Sequence, residues 1–475
     1  VTRAVFAFTR DFRLGDHAGL AAVARHGEVV PVHVIDPGSA ARLRRSPRRA
    51  AYYCAALLAL DADLRARGSR LIVRRGKPGP VLRALARAAG AGLVGWSCGY
   101  DARNVRAERD LQSTLEEAGL RALPVHDALV VDPEAAAAEH RGDGYRAFVP
   151  YHARWRAQIP ADDAGSAAAF AQLEIASEPL PVPAEFGSQA TAEGEVGEAP
   201  ARAKLTAYLA GPVLQYGIAR NVPAAGGTSH LSAELSFGTL AAREVVRAAC
   251  ARSADPFLLV EERTSLKLFL RSLAQRDFFL QLAYYSESLE EQPLQTKMRG
   301  FSFARSHPAL DAWRSGRTGF PLVDAGIREL RATGWMHPRL RAIAASFLCF
   351  DLGVDWRVGR DEWDTYLIED APALAVGNWQ WIAGVGADLA AYPRIYNPLK
   401  QARRFDPSAQ YVRRWIPELA GIPDDAVLDP LEAPRRRQLD LPLYADRGYP
   451  APVLDHEQAA RAFLARYARE VRTPA

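Results

Sequence analysis

The sequence predicts an α/β part built on a doubly wound parallel sheet, followed by an all-α part. Three observations predict it. Between residues 1 and 131, short runs rich in β-branched and aromatic residues alternate with segments of helical length. After residue 200 those runs stop and apolar residues recur at helical spacing. The chain has 475 residues, 49% of them hydrophobic, which is more than one hydrophobic core usually holds.

Strands are expected at AVFAF (4–8), VVPVHVI (29–35), RLIV (70–73), GLVGWS (92–97) and ALPVHDALVV (122–131). The segments 48–67, 79–89 and 104–118 have the length of crossover helices, which parallel neighbours require. In such a sheet, ligand crevices lie beyond the strand C-termini. From 132 to 200 the composition shifts to Ala, Glu, Gly, Ser and Pro, and EFGSQATAEGEVGEAP at 185–200 reads as an interdomain linker. The remainder, 201–475, is expected to be helical, with Val323, Ile327 and Leu330, then Ile343, Phe347 and Phe350, at helical intervals.

A net charge of +5 over this length is compatible with a polyanionic partner but is thin support by itself. Cys54, Cys98, Cys250 and Cys349 lie far apart, without the close spacing of zinc or iron–sulfur ligands, so free thiols and no metal are expected. The opening VTRAVFAFTRDFRLGDH passes from a short apolar run straight into charges. Neither a signal segment nor a membrane span of about 20 apolar residues is visible, and a cytoplasmic protein is expected.

Two features could carry chemistry. Seven of the nine tryptophans fall after residue 300: Trp313, Trp335, Trp356, Trp363, Trp379, Trp381 and Trp415. Indoles fill helical cores, but they also stack on planar ligands and pass electrons between rings. The segment GGTSHLSAELSFGTL at 226–240 places small and hydroxyl residues before a helical stretch, where free backbone N–H groups suit phosphate oxygens or simply a helix cap.

The run TSHLSAELSFG resembles the flavin-pyrophosphate loop T-S-x-L-S-P-x-L-x-x-G of the DNA photolyase and cryptochrome family. TGFPLVDAGIRELRATGWMH (318–337), DWRVG (355–359), NWQWIAGVGAD (378–388), RIYNPLKQARRFDP (394–407) and YVRRWIPEL (411–419) follow in that family's order, and TRDFRLGDHAGL at 9–20 resembles its opening. Long motifs in fixed order are far more specific than a lone glycine-rich loop. The resemblance spans nearly the whole chain and lies close to the class I photolyases that repair cyclobutane pyrimidine dimers.

The resemblance implies a Rossmann-like antenna domain at 1–131, a linker at 132–200 and a helical FAD-binding domain at 201–475. By position, Tyr216, Arg220, Thr228, Ser229, Leu231 and Ser232 would cradle the pyrophosphate side, while Arg276, Trp335 and Arg341 would line the flavin. The acidic pair that holds ribose and a flavin-lining arginine in the family is altered here, to Glu369, Asp370 and Ala371 followed by Pro372. Trp379, Trp356 and Trp313 match the electron-transfer triad, which in the family reduces photoexcited flavin from the protein surface. The antenna chromophore is left open: folate, deazaflavin, a second flavin or none.

The pattern breaks at three places. Dimer-repairing members carry E-x-x-W where this chain has Ser272 and Gln275, so a charge-assisted hydrogen bond and a stacking platform are both missing. M-H-N-R becomes Met336-His337-Pro338-Arg339, exchanging an amide for a proline. Ala375 stands beside the expected position of the flavin's redox-active nitrogen, where photolyases have Asn. Trp381 and the basic rim residues Arg339, Arg394, Arg403 and Arg404 are retained, which keeps DNA open as a partner. His230 and His337 lie inside matched motifs and are given no proton-transfer role.

Three activities follow from this mixture. One is a cryptochrome-like light sensor that photoreduces flavin with weak or no dimer repair. Another is a photolyase acting on UV-damaged DNA. The third is a repurposed flavoenzyme or FAD-binding regulator with a small-molecule or protein partner.

Overall fold

The structure, a computed structural model, describes residues 2–138, 144–165, 169–172, 174–387, 392–429 and 447–471. The chain forms two compact units, neither continuous in sequence. The first comprises Val1–Leu214, Ser229–Glu290 and Ile368–Leu374; the second comprises Gln215–Thr228, Glu291–Leu367 and Ala375–Ala475.

The first unit is built on five parallel strands: β1 (Arg3–Phe8), β2 (Glu28–Ile35), β3 (Ile72–Arg75), β4 (Ala91–Ser97) and β5 (Arg121–Val125). Their order is β3-β2-β1-β4-β5, so the winding reverses between β1 and β4. Alternate residues of β1 serve opposite faces, as the two-residue repeat of a strand requires. Phe6 and Phe8 pack with Leu20, Val23, Leu57 and Leu60, from the helices Ala18–Ala24 and Pro47–Ala66. Val5 and Ala7 pack with Leu82, Leu85, Leu111 and Leu115, from Pro78–Ala89 and Ala102–Glu116. Both faces of the sheet are therefore covered, which is why its strands read as nearly continuous apolar runs.

β5 is shorter than the run 122–131 suggested. Past Val125 the main chain is taken up by side chains instead of a neighbouring strand. Arg243 donates to the carbonyls of Asp127 and Leu129 at 2.8 and 3.3 Å, Arg276 to that of Ala128 at 2.8 Å, and Val130 N–H donates to Asp277 at 2.7 Å. The stretch read as a linker also carries structure. It holds the helices Pro133–Ala137 and Phe148–Ala157, a 3-10 turn at Pro183–Phe186 and the start of Glu198–Ala210. Phe148, Tyr151 and Trp155 are buried on one helical face, and Trp155 donates its indole N–H to Asp277 at 2.9 Å. A few large aromatics bind this segment to the first unit despite its polar composition.

At the centre of the first unit, Asp127 accepts from Arg13 at 2.5 Å, Arg243 at 2.7 Å and the Ala18 N–H at 2.9 Å. Burial alone would raise its carboxyl, but Arg13, His17 and Arg243 reverse that and hold it well below the usual carboxylate range.

The second unit is helical among its described residues, apart from one isolated bridge between Ala304 and Val354. Asp324 fixes the start of the helix Pro321–Thr333 by accepting from Thr318 N–H, Gly319 N–H and Tyr449 O–H at 2.8, 3.0 and 2.6 Å. The helix His456–Val471 docks through Phe463 against Phe301, Phe303 and Phe350. No helix of the described residues is long and apolar enough to cross a membrane.

Asp127→Asn leaves two buried guanidinium groups short of a counter-charge, and is expected to cost about 3–5 kcal/mol in denaturant unfolding. A depressed folded-state carboxyl contributes stability above the unfolded value of 3.8 and loses it as pH falls below. The deficit of the variant should therefore shrink in acid. Glu108 behaves oppositely: burial pushes it up to about 8, although it accepts a hydrogen bond from Gly99 N–H at 2.7 Å. It stays protonated in the fold while an unfolded glutamate ionises, so stability should fall as pH rises from about 4.5 to about 8. Glu108→Gln should flatten that slope, which a series of melting curves across this range would show.

Candidate cofactor and redox site

The sequence-predicted cofactor residues divide between the two units. In the first, the chain leaves Ser229 through His230, whose φ of 53° is uncommon for a side chain of that size, and enters the helix Ser232–Phe237 after the buried Leu231. Lys204 holds the turn by donating to the His230 carbonyl at 2.5 Å and to Glu234 at 2.8 Å. Ser232 Oγ donates to Glu369 Oε2 at 3.5 Å, so the loop and the acidic position meet. Arg276 on the helix Val260–Tyr284 donates to Asp277 at 2.9 Å and to the Leu235 carbonyl at 3.4 Å.

Asp370 is engaged elsewhere. Arg42 Nε donates to it at 2.8 Å and Arg10 lies at 3.6 Å. Burial would raise this carboxyl, and Arg10, Arg42 and Arg49 together hold it far below the ordinary range. It acts here as the counter-charge of an arginine cluster. Ser272 donates its hydroxyl to the Phe269 carbonyl of its own helix at 2.6 Å, and Gln275 lies half-buried one turn on.

In the second unit, Tyr216 and Arg220 sit one turn apart, with the guanidinium 5.5 Å from the ring centroid. Gly227 lets the following loop approach that turn, since a Cβ there would come within 2.3 Å of Ala219 Cβ. Arg220 Nε and Thr228 Oγ1 are buried with no hydrogen-bond partner among the described residues. Arg339 donates to Asn221 at 2.5 Å and lies 4.6 Å from the Phe405 ring centroid, and its Nε is likewise unpartnered. Burial first, then the like charges of Arg220 and Arg404, lower the pKa of Arg339. Buried donors without acceptors cost about 1–3 kcal/mol each. Three of them beside gathered positive charge suit the oxygens of a polyanion, so the residues present fit the pyrophosphate side of FAD.

Pro338 is explained by its place as the first residue of the helix Pro338–Ser346, where no N–H is needed. Before it, His337 N–H donates to Glu329 at 3.0 Å and the ring of Trp335 packs edge-on to His337 at 6.1 Å. Arg341 Nε donates to the Met336 carbonyl at 2.9 Å. Arg403 pairs with Asp429, while Arg394 is exposed and Trp381 half-buried.

Ala375 and Trp379 lie one turn apart on the helix Pro372–Ile382. Trp313, Trp356 and Trp379 are all buried. Trp379 and Trp313 each make ring contact with Trp363, a residue given no individual role from sequence, whereas Trp356 lies beneath the guanidinium groups of Arg357 and Arg360. Trp363 follows Trp356 by seven residues on the helix Trp356–Trp363, a spacing that could have marked it. Trp313 has no exposed surface and donates its N–H to the Ala344 carbonyl at 3.0 Å, so it offers no solvent-facing terminus.

Arg220→Ala should weaken FAD binding by about tenfold or more, the worth of one charge-assisted hydrogen bond, and Thr228→Val by less. Titration of flavin fluorescence measures both. Unchanged affinity in the arginine variant would remove Arg220 from the phosphate site.

Residues 4–172 match the model of the DNA photolyase family, and residues 269–469 that of the FAD binding domain of DNA photolyase. A deoxyribodipyrimidine photo-lyase of Halobacterium salinarum is 34% identical over 98% of this chain and 98% of its own. Cryptochrome-1 of Arabidopsis thaliana is 30% identical over 95% of this chain and 68% of its own. A bacterial class III photolyase from Agrobacterium tumefaciens superimposes with a TM-score of 0.85 at 29% identity, covering 100% of this chain and 98% of its own. With the parallel sheet, the helical second half and the anion-seeking loop in place, the chain belongs to the DNA photolyase and cryptochrome family and is an FAD-binding flavoprotein.

Proposed function

We propose that this protein is a light-driven redox flavoprotein of the sensing type, in which blue light reduces bound FAD but cyclobutane dimers are repaired weakly or not at all. The observation that carries the reading is the pair Ser272 and Gln275. Ser272 spends its hydroxyl on its own helix at 2.6 Å, and neither side chain brings a carboxylate or an aromatic face. Stacking a base on an aromatic is worth about 1–3 kcal/mol and a hydrogen bond to a charged group about 1.5–3 kcal/mol, so their joint absence weakens dimer capture by about two to four orders of magnitude.

Bound FAD supplies one-electron photochemistry. The chain's own contribution is to hold the phosphates with Arg220 and Thr228, and to place Trp379 on the same helical face as Ala375. With a methyl group at Ala375, the chain offers no side-chain hydrogen bond at the position where a photolyase has an amide.

The runner-up is DNA repair. It is favoured by the gathered charges of Arg220, Arg339 and Arg404, by Trp381, and by the photo-lyase names of the relatives.

Illumination of the FAD-loaded protein with an electron donor is expected to bleach the oxidised flavin band. The same reduced sample should restore a thymine-dimer oligonucleotide no faster than about one-hundredth of the rate of the Ser272→Glu/Gln275→Trp double variant. Repair by the unaltered protein at the rate of that variant would replace sensing with photolyase activity.

A further inference from the structure

The helices Ala242–Ser253 and Val260–Tyr284 of the first unit pack against each other as a hairpin, and the corner between them carries an apolar knob. Phe257, Leu259 and Val260 are 91%, 64% and 75% exposed, with Pro256 exposed beside them, whereas Leu258 is buried. Ten large hydrophobic side chains are exposed among the described residues, and three of them fall within these four positions. A single exposed apolar side chain is ordinary, but a cluster at one apex calls for a partner.

The main chain of the corner is already satisfied from within. Arg263 donates to the carbonyls of Ser253, Asp255 and Pro256 at 3.0, 2.7 and 3.1 Å. Asp255 accepts from Phe257 N–H at 2.9 Å and pairs with Arg252, while Glu262 accepts from Leu259 N–H at 2.8 Å. Leu258 N–H donates to the Asp255 carbonyl at 3.4 Å, and the carbonyls of Leu259 and Val260 accept from Arg263 N–H and the Thr264 hydroxyl at 3.0 and 2.8 Å. Pro256 has no N–H to satisfy. A loop paired in this way gives up few hydrogen bonds to water when it enters an apolar medium, which is the condition a lipid layer imposes on any backbone it admits.

Size and charge select the partner. At these exposures the three side chains present about 400 Å² of apolar surface, about half of the roughly 800 Å² that each side of a stable protein interface contributes. Lipid chains, being fluid, ask for no matching surface. Between residues 250 and 268 the cations Arg252, Arg263 and Lys267 are balanced by Asp255, Glu261 and Glu262, so the corner neither needs anionic head groups nor is repelled by them.

We propose that this corner is a reversible anchor to a lipid surface, with Phe257, Leu259 and Val260 entering the boundary between head groups and acyl chains and the charged flanks remaining among the head groups. The attachment is peripheral and needs no membrane-spanning helix. Ser272 lies twelve residues further along the same helix, about 18 Å from Val260, so the anchor works in light or dark and substitutions at the corner leave that position untouched.

Flotation of the FAD-loaded protein with vesicles tests the anchor. The unaltered protein should float with pure phosphatidylcholine vesicles in about 0.5 M salt as well as in dilute buffer. Phe257→Ser/Leu259→Ser should lower the partition coefficient about tenfold or more, with the flavin absorption unchanged as the check of folding. Phe257→Trp should raise it about twofold, because indole favours the head-group boundary. Flotation that the double variant retains overturns the anchor, and so does binding confined to vesicles containing phosphatidylserine and lost in salt, which would assign it to the net charge of +5. No flotation at all overturns it equally; self-association in sedimentation velocity that the double variant loses would then make the knob a contact with a second copy of the chain.

Discussion

The first unit depends on a single buried carboxylate. Asp127 lies just beyond the last strand, and its two oxygens take hydrogen bonds from Arg13, which follows β1, from Arg243 on the helix Ala242–Ser253, and from the main chain at Ala18. Residues more than 100 positions apart are thus tied to one point. A buried charge is tolerated only when it is paired and fully hydrogen-bonded. Both arginines spend further N–H groups on the carbonyls of Asp16, Gly238, Asp127 and Leu129. The ion pair thereby sets the path of the main chain after β5 and ends the strand where it does.

The same economy of charge explains why Asp370 is not simply a ligand residue. Its segment returns to the first unit for only seven residues, Ile368–Leu374, and there it meets Arg10, Arg42 and Arg49. An ionised carboxylate facing three guanidinium groups neutralises part of a charge that would otherwise be costly to bury. Glu369, its neighbour, points to Ser232 instead and stays with the predicted phosphate loop. Adjacent residues of one short segment thus serve two ends, one in an arginine cluster and one at the Ser232 loop.

In the second unit the contrast runs the other way. Arg220, Thr228 and Arg339 retain buried polar atoms without acceptors, although nearly every buried polar group in a folded protein finds a partner. At Arg220 and Thr228 that deficit coincides with positions the pyrophosphate motif names, and at Arg339 it falls on the basic rim. The tryptophans divide by the same kind of reasoning. Their number was visible as composition, but only ring distances separate the rings in contact through Trp363 from Trp356 under its two arginines.

By itself the sequence determined the parallel sheet, the helical second half and the loop around Thr228, Ser229 and Ser232, because each is written locally in the repeat of apolar residues or in a run of small and hydroxyl side chains. It determined equally that Ser272 and Gln275 bring no acid or indole, since that follows from residue identity alone. Tertiary structure decided which charges meet and which rings touch. Asp127 reaches Arg243 across 116 positions and Asp370 reaches Arg42 across 328, and Trp363 joins Trp379 to Trp313 across three separate helices. Such pairings depend on how distant segments pack, and no local periodicity encodes that distance.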